Sequence, residues 1–340
     1  MKKVQEDNEK FDRRRFIRAL GAGAATALAG CATPRVDESA HAGRGLTRAT
    51  AVNHIAYAVA DYARMRDFYV EMFGMRVAWD DGTKCSVEFG DPAKPEAFYI
   101  VAAKPAEKAY VNHVGYSIDN FMAHKIAIEA ELKRRGMTFH ADTEQGWTLA
   151  DPSGYTIHFI SETGIFPGAA TPCAVMSSAE CRTANEVGLK NLARGPKPSG
   201  RGFKATAFSH IVQCVRNVEE TRDFYRDLFG MRQIYYKREE PNAQAMLRFG
   251  NNTLVLMKSR QPGGAPYIDH FALEIEGYEQ ARVEAELRRR GYNPAPDSRL
   301  GWTIRDPEGM RVEIAGKGWP EHIGRDCNGH AAECPGGPRS

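Results

Sequence analysis

The chain has 340 residues, with 46 Lys and Arg against 43 Asp and Glu and a formal net charge of +3. Residues 1–30 carry seven Lys/Arg and four Asp/Glu, which accounts for the whole excess and leaves 39 of each sign in the remainder. A balanced body without a basic cluster excludes nucleic acid as the expected partner, and its length suits two domains of ordinary size.

The chain opens polar and charged and then reads Asp12-Arg13-Arg14-Arg15-Phe16-Ile17-Arg18 before a weakly apolar run from Ala19 to Gly30. This resembles a twin-arginine export signal centred on Arg13, Arg14 and Arg15, and the run falls short of the roughly 20 apolar residues of a spanning helix. Leu28-Ala29-Gly30-Cys31 resembles a lipoprotein processing box, with Cys31 as the acylated first residue of the mature protein. The alternative is a plain signal peptide with a coincidental cysteine. The expectation is export of a folded protein to the periplasm or cell envelope, tied to a membrane by lipid. Residues 31–50 are small and polar, as a tether would be. Of the other cysteines, Cys173, Cys181, Cys327 and Cys334 lie in low-periodicity segments and suit disulfides, whereas Cys214 reads as a small buried apolar residue.

Two long segments repeat, at residues 51–163 and 206–316, separated by a Gly-, Pro-, Ala- and Ser-rich linker at 164–205 and followed by a turn-rich tail at 317–340. VNHIAYAVADYARMRDFYVEMFGMRV around His54 answers FSHIVQCVRNVEETRDFYRDLFGMRQ around His210. VNHVGYSI around His113 answers IDHFALEI around His270, and the Gly-Trp-Thr endings set His158 against Glu313. Five of the chain's ten histidines fall on these six equivalent positions. His210, His270 and Glu313 form a two-histidine, one-carboxylate set for a divalent metal, and His54, His113 and His158 form a weaker, all-neutral counterpart. His140 reads as a surface residue.

Within each repeat the periodicity gives a strand (52–59, 207–214), an amphipathic helix (61–73, 217–229) and further strands. A second strand (111–118, 268–275) then leads to a helix ending Glu-Leu-Lys-Arg-Arg-Gly or Glu-Leu-Arg-Arg-Arg-Gly and to strands around Asp-Pro-x-Gly turns. The class is α+β. Strict alternation puts His54 on one face with Val52, Ala56 and Ala58, and His113 with Gly115 and Ser117. His270 lies beside Ala272, and the large residues point to the other face. Small residues around a polar one leave room for a ligand.

The histidine of the first strand, the Arg-Asp-Phe-Tyr-x-x-x-Phe-Gly-Met helices (Arg66–Met75, Arg222–Met231) and the Asp-Pro-x-Gly-x-x-x-Glu ending resemble the vicinal oxygen chelate superfamily. That superfamily includes glyoxalase I, bleomycin and fosfomycin resistance proteins and extradiol dioxygenases. The resemblance implies two tandem domains, each a pair of βαβββ units forming a cupped mixed sheet around a metal. It implies Fe(II) or Mn(II), with Zn(II) as the alternative, and a small-molecule substrate with vicinal oxygens. The four-unit layout is closest to the extradiol dioxygenases. Their tyrosine falls at Thr303 here, the strand before His270 lacks their histidine, and Leu254–Met257 lacks the fourth ligand of glyoxalases. Three readings stay open: a metal-dependent oxidoreductase of ring-cleavage type, a metal-assisted lyase or isomerase, and a non-catalytic binding protein. In each, the second domain is expected to carry the working site.

Overall fold

The alternating apolar residues of β1 (Ala49–Val59) run to Asp61, whose side chain accepts from the Arg64 amide and so caps helix α1 (Tyr62–Phe73). Asn217 caps the equivalent helix α3 (Val218–Phe229) in the same way, through the Glu220 amide. The structure is a computed structural model that describes residues 47–103, 108–143, 146–161, 195–298 and 301–318. Arg13, Arg14, Arg15, Cys31, Cys173, Cys181, Cys327 and Cys334 lie outside those residues. Among the described residues no helix is long and apolar enough to cross a membrane, and Cys85 and Cys214 are both free and buried.

The first repeat continues with β2 (Arg76–Asp80), β3 (Lys84–Phe89), β4 (Glu96–Ala102), β5 (Tyr110–Ile118), α2 (Phe121–Arg134), β6 (Phe139–Thr143), β7 (Gly146–Ala150) and β8 (Thr156–Ser161). The second runs through β9 (Ala205–Val215), then α3, β10 (Arg232–Lys237), β11 (Gln244–Phe249), β12 (Asn252–Lys258) and β13 (Tyr267–Ile275). It ends with α4 (Gln280–Arg289), β14 (Ala295–Ser298), β15 (Gly301–Arg305) and β16 (Arg311–Ala315). Each repeat folds into one 8-stranded mixed sheet, in the order β2-β3-β4-β1-β5-β8-β7-β6 or β10-β11-β12-β9-β13-β16-β15-β14. Two strand–helix–three-strand units meet at the antiparallel β1–β5 or β9–β13 pair, while β1–β4 and β5–β8 are parallel. This is the α+β arrangement of two tandem paired-unit domains expected from the sequence.

Strict alternation fails at two places in each opening strand, at Thr50 and Asn53 on β1 and at Thr206 and Ser209 on β9, and the second of each matters for the site. Val52 pairs with Tyr116 and His54 with Gly115, so Asn53 is an extra residue on β1. Ser209 on β9, Asn112 on β5 and Asp269 on β13 are skipped in the same way. Each is a β-bulge immediately before a histidine, and a bulge re-aims the side chains beside it. Val52, which alternation assigns to the His54 face, instead belongs to the apolar core with Ile55, Tyr57 and Val59.

That core is continuous across both domains, which lie in a single compact unit. Tyr69 of α1 stacks on Phe98 at 4.5 Å and meets Phe271 of the other domain at 6.5 Å, and Phe98 meets Phe208 at 5.1 Å. The cross-domain bonds are reciprocal. The Asp306 carboxylate accepts from Tyr57 (2.9 Å) and Tyr69 (3.3 Å), while Asp151 accepts from Gln213 (2.5 Å) and Tyr225 (3.4 Å). The Val52 amide donates to Asn252 Oδ1 at 3.0 Å, and its counterpart Phe208 donates to Glu96. Gly90 and Gly250, at positive φ, lie so close to the Thr206 and Thr50 carbonyl oxygens that a Cβ would fall 2.7 and 1.8 Å from them.

These contacts give the ends of the polar segments a structural use. Thr47, in the stretch that composition reads as tether, is buried and donates to the Leu228 carbonyl of the second domain. Phe203, at the end of the linker, donates to the Met72 carbonyl of the first at 2.8 Å.

Burial pushes the Asp151 and Asp306 carboxyls up from 3.8 to about 6, although their hydrogen bonds oppose the shift. A carboxyl raised in the folded state binds its proton more tightly there, so its contribution is complete below the unfolded pKa of about 4. That contribution is lost as the pH rises through 6. Asp306→Asn keeps an oxygen for the Glu308 and Met310 amides and cannot ionise. We expect its melting temperature to gain on wild type by about 5 °C between pH 4 and pH 7. A gap that stays constant over that range would show that the carboxyl is not raised.

Candidate metal centres

In the first domain His54, Gly115 and His158 share one row across β1, β5 and β8, and His113 lies two residues before Gly115 on the same face. In the second domain the row is His210, Ala272 and Glu313, with His270 two residues before Ala272. The structure brings all six sequence-predicted ligands into these two groups, and within each group the ligand atoms lie within 4.8 Å of one another. His140 is exposed and belongs to neither.

Gly115 is required by its neighbour. A Cβ there would stand 2.3 Å from the His54 ring, so the small residue that strand alternation predicted makes space for a ligand. The second domain accommodates Ala272 at that point, fully buried.

The second group is closed from water, with His210 1%, His270 5% and Glu313 0% exposed. Glu313 Oε2 lies 3.2 Å from His210 Nε2 and 3.8 Å from His270 Nε2. Ligands about 2.1 Å from a common ion stand roughly 3 Å apart, so two imidazoles and a carboxylate at these spacings fit a divalent cation. Burial pushes the His270 imidazole down to about 4, against the opposing pull of its Asp269 bond, and a neutral ring is the ligating form. The hydrogen bond from His270 in turn holds the Asp269 carboxyl below its usual range.

The bulged residues fix the rings. Asn53 Oδ1 lies 2.9 Å from His54 Nδ1, Asn112 Oδ1 2.7 Å from His113 Nδ1, and Asp269 Oδ2 2.8 Å from His270 Nδ1. Such an oxygen accepts from the tautomer that carries its hydrogen on Nδ1, the form in which Nε2 presents a lone pair to the other ligands. Asp269 also accepts from Arg311 at 2.7 Å, and that guanidinium lies against the His270 ring. These residues escape a sequence reading, although Asn53-His54, Asn112-His113 and Asp269-His270 are adjacent in the chain.

The wall beside the second group is apolar. The row leading away from β9 runs Val212, Val255, Met246 and Tyr235, and these four form their own buried cluster with Ile234 and Met257 against it. Thr303 pairs with Glu313 across β15 and β16, and Leu254 and Leu256 belong to the shared core.

A family model described as the Glyoxalase/Bleomycin resistance protein/Dioxygenase superfamily matches residues 51–159 and again 207–314. Among solved structures, the 2,3-dioxygenase LapB from Pseudomonas sp. KL28 aligns with a TM-score of 0.58 and 16% identity, over 80% of this chain and 93% of that one. Homoprotocatechuate 2,3-dioxygenase from Arthrobacter globiformis gives 0.57 and 17% identity, over 79% and 80%. A variant of homoprotocatechuate 2,3-dioxygenase from B. fuscum in complex with HPCA gives 0.58 and 17%, over 80% and 72%. At such identities the likeness is one of fold. A search of curated protein sequences gave no match.

If Asp269 orients His270, Asp269→Ala should weaken divalent-metal binding at the second group by about 10- to 100-fold in chelator competition. Asp269→Asn, which keeps an acceptor, should recover most of that loss. Equal affinity in wild type and Asp269→Ala would remove the orienting role.

Proposed function

Since the chain belongs to the Glyoxalase/Bleomycin resistance protein/Dioxygenase superfamily, we propose that its second domain is the working centre of a metal-dependent oxidoreductase of ring-cleavage type. The observation that carries this reading is the buried His210, His270 and Glu313 set beside an apolar wall. Those three residues would hold Fe(II) or Mn(II), and Zn(II) suits the same donors. When bound, the ion supplies a Lewis acid for two adjacent substrate oxygens and an open position for O₂. Glu313 lowers the net charge of the centre, burial keeps His270 neutral, and Asp269 orients its ring. Val212, Met246 and Val255 offer contact to a flat ring and keep water from it. Arg311, about one-third exposed, places a positive charge beside His270 for an anionic substrate group.

Lewis-acid lyase or isomerase chemistry is the second reading. It is favoured by Thr303, a weak proton donor, standing beside Glu313, and by a wall with no histidine among its described residues. Anaerobic loading with Fe(II), followed by an O₂-electrode screen with catechols, separates the two. The first reading expects uptake of one O₂ per catechol, lost by at least 100-fold in His210→Ala and Glu313→Ala. Turnover of a carbonyl substrate without O₂ would favour the second reading instead.

We further propose export by the twin-arginine route and lipid anchoring at Cys31, supported by Arg13, Arg14, Arg15 and the Leu28–Cys31 box. Arg14→Lys with Arg15→Lys should abolish export, and Cys31→Ser should move the exported protein from the membrane to the soluble fraction. A Cys31→Ser protein that still sediments with membranes would refute the anchor.

A further inference from the structure

We propose that the second domain holds a small-molecule site apart from the metal groups: a cavity between the end of the linker and helix α4 that binds an organic anion at Arg201 and Arg282.

The cavity measures about 520 Å³ and lies where Gly200–Lys204, Ile275–Gly277 and helix α4 meet. Such a volume suits a metabolite-sized ligand. Ile275 and Val283 line it and belong to the shared core, so it opens on the helix side of the sheet, away from His210, His270 and Glu313. Its wall is fixed in place. Arg290 donates to the Arg201 carbonyl, and a Cβ at Gly202 would stand 2.2 Å from the Glu71 carbonyl oxygen of helix α1. A site already held in shape loses little entropy when a ligand enters.

The first domain has the same frame and shows what the second has changed. Arg48 pairs with Asp119, and Lys204 with Glu276, each at 3.1 Å. Glu131 is clamped by Arg134 and Arg135, and Glu286 by Arg289 and Arg290. Two positions break the match. Asn120 follows Asp119 at a φ of 52°, and Gly277 follows Glu276 at 62°. Asn meets the needs of that turn in the first domain, so φ alone does not call for glycine. A Cβ at Gly277 would meet nothing within 4 Å, so the glycine leaves open the space that an Asn side chain would enter. Ala127, four residues before Glu131, corresponds to Arg282, four before Glu286. The second domain thus lacks one side chain beside the cavity and gains a guanidinium there.

Charge sets the ligand class. The rim carries Arg201, Lys204, Arg282 and Arg289 against Glu276 and Glu286. Lys204 and Arg289 are paired with those two carboxylates, and Arg289 and Arg290 together hold the Glu286 carboxyl down to about 2. Among the described residues no carboxylate pairs with Arg201 or Arg282. Glu71, whose carboxylate feels the Arg201 charge, is bonded by Ser199 Oγ at 2.6 Å. Arg282, Glu286 and Arg289 are spaced i, i+4 and i+7, so they share the helix face that lines the cavity. Two guanidinium groups beside an apolar floor fit a carboxylate or phosphate head on an apolar body.

Phenyl phosphate, an oxyanion on an apolar ring, is the test ligand, titrated into the full chain by calorimetry at about 0.15 M salt. Saturable binding of one equivalent is expected, unchanged after chelator treatment, which separates it from the metal groups. Arg282→Ala and Gly277→Asn each install the residue of the first domain, so the fold is kept, as an unchanged melting temperature would verify. Each should weaken binding by about 10-fold. Arg288→Ala removes a cation that is paired with Glu284 on the same helix, outside the cavity, and should change binding by less than about twofold. No saturable binding in wild type, or binding that disappears with the chelator, would overturn the site. Equal losses in Arg282→Ala and Arg288→Ala would also overturn it, by showing only the diffuse charge of the helix.

Discussion

Everything in this molecule depends on one commitment: each sheet gives one whole face to a core shared with the other. Phe98, Phe208 and Phe271 meet across the boundary, and helix α1 packs on its own sheet while reaching the other domain through Tyr69. The carboxylates buried on that face find partners in the other domain, as Asp151 and Asp306 do. Only the opposite face is left for histidines, so both ligand groups lie there. The shared core also decides which strands are central. Strands β1 and β9 each pair on both edges within their own sheet and make contacts to the other domain within their first four residues. Strands held from so many sides are rigid ground for metal ligands.

The bulges link that core to the chemistry. Asn53 and Ser209 interrupt the ladder at the point where the Val52 and Phe208 amides turn to side chains of the other domain. One inserted residue therefore does two things. It sends a large apolar side chain into the shared core and, at Asn53, brings a hydrogen-bond acceptor to the same side as the following histidine. In a regular strand adjacent side chains point to opposite faces, so an Asn-His pair could not bond to itself as Asn53 and His54 do. The two domains then diverge by single residues on a common frame. Gly115 against Ala272, Asn112 against Asp269 and His158 against Glu313 change space, second-sphere charge and ligand charge without moving a strand.

Much of this was legible in the chain. The repeat exposed the units, their alternation and the convergence of both candidate groups, because residues that must converge have to recur at equivalent positions of a duplicated unit. What was not legible is non-local. A bulge is a mismatch of count between two strands far apart in sequence, and nothing in Val52-Asn53-His54 announces it, so Val52 reads as sharing a face with His54. The acceptors beside the histidines were in plain view, but the two-residue period that identifies the strand also argues against their pairing. Thr47 and Phe203 read as tether and linker for a similar reason. Their composition is polar or turn-like, while their structural value lies in backbone groups and one hydroxyl that meet the other domain.

The position of Thr47 has a mechanical consequence. The chain enters its first domain only after bonding to the last turn of helix α3, which belongs to the second. Tension applied through the N-terminal side is therefore met first by the far domain and passes to the near one through β1, whose length it pulls along. Strands loaded along their axis share the force among many ladder bonds. Such a joint resists being peeled open one bond at a time, as a leash fixed to the outer edge of a sheet would allow.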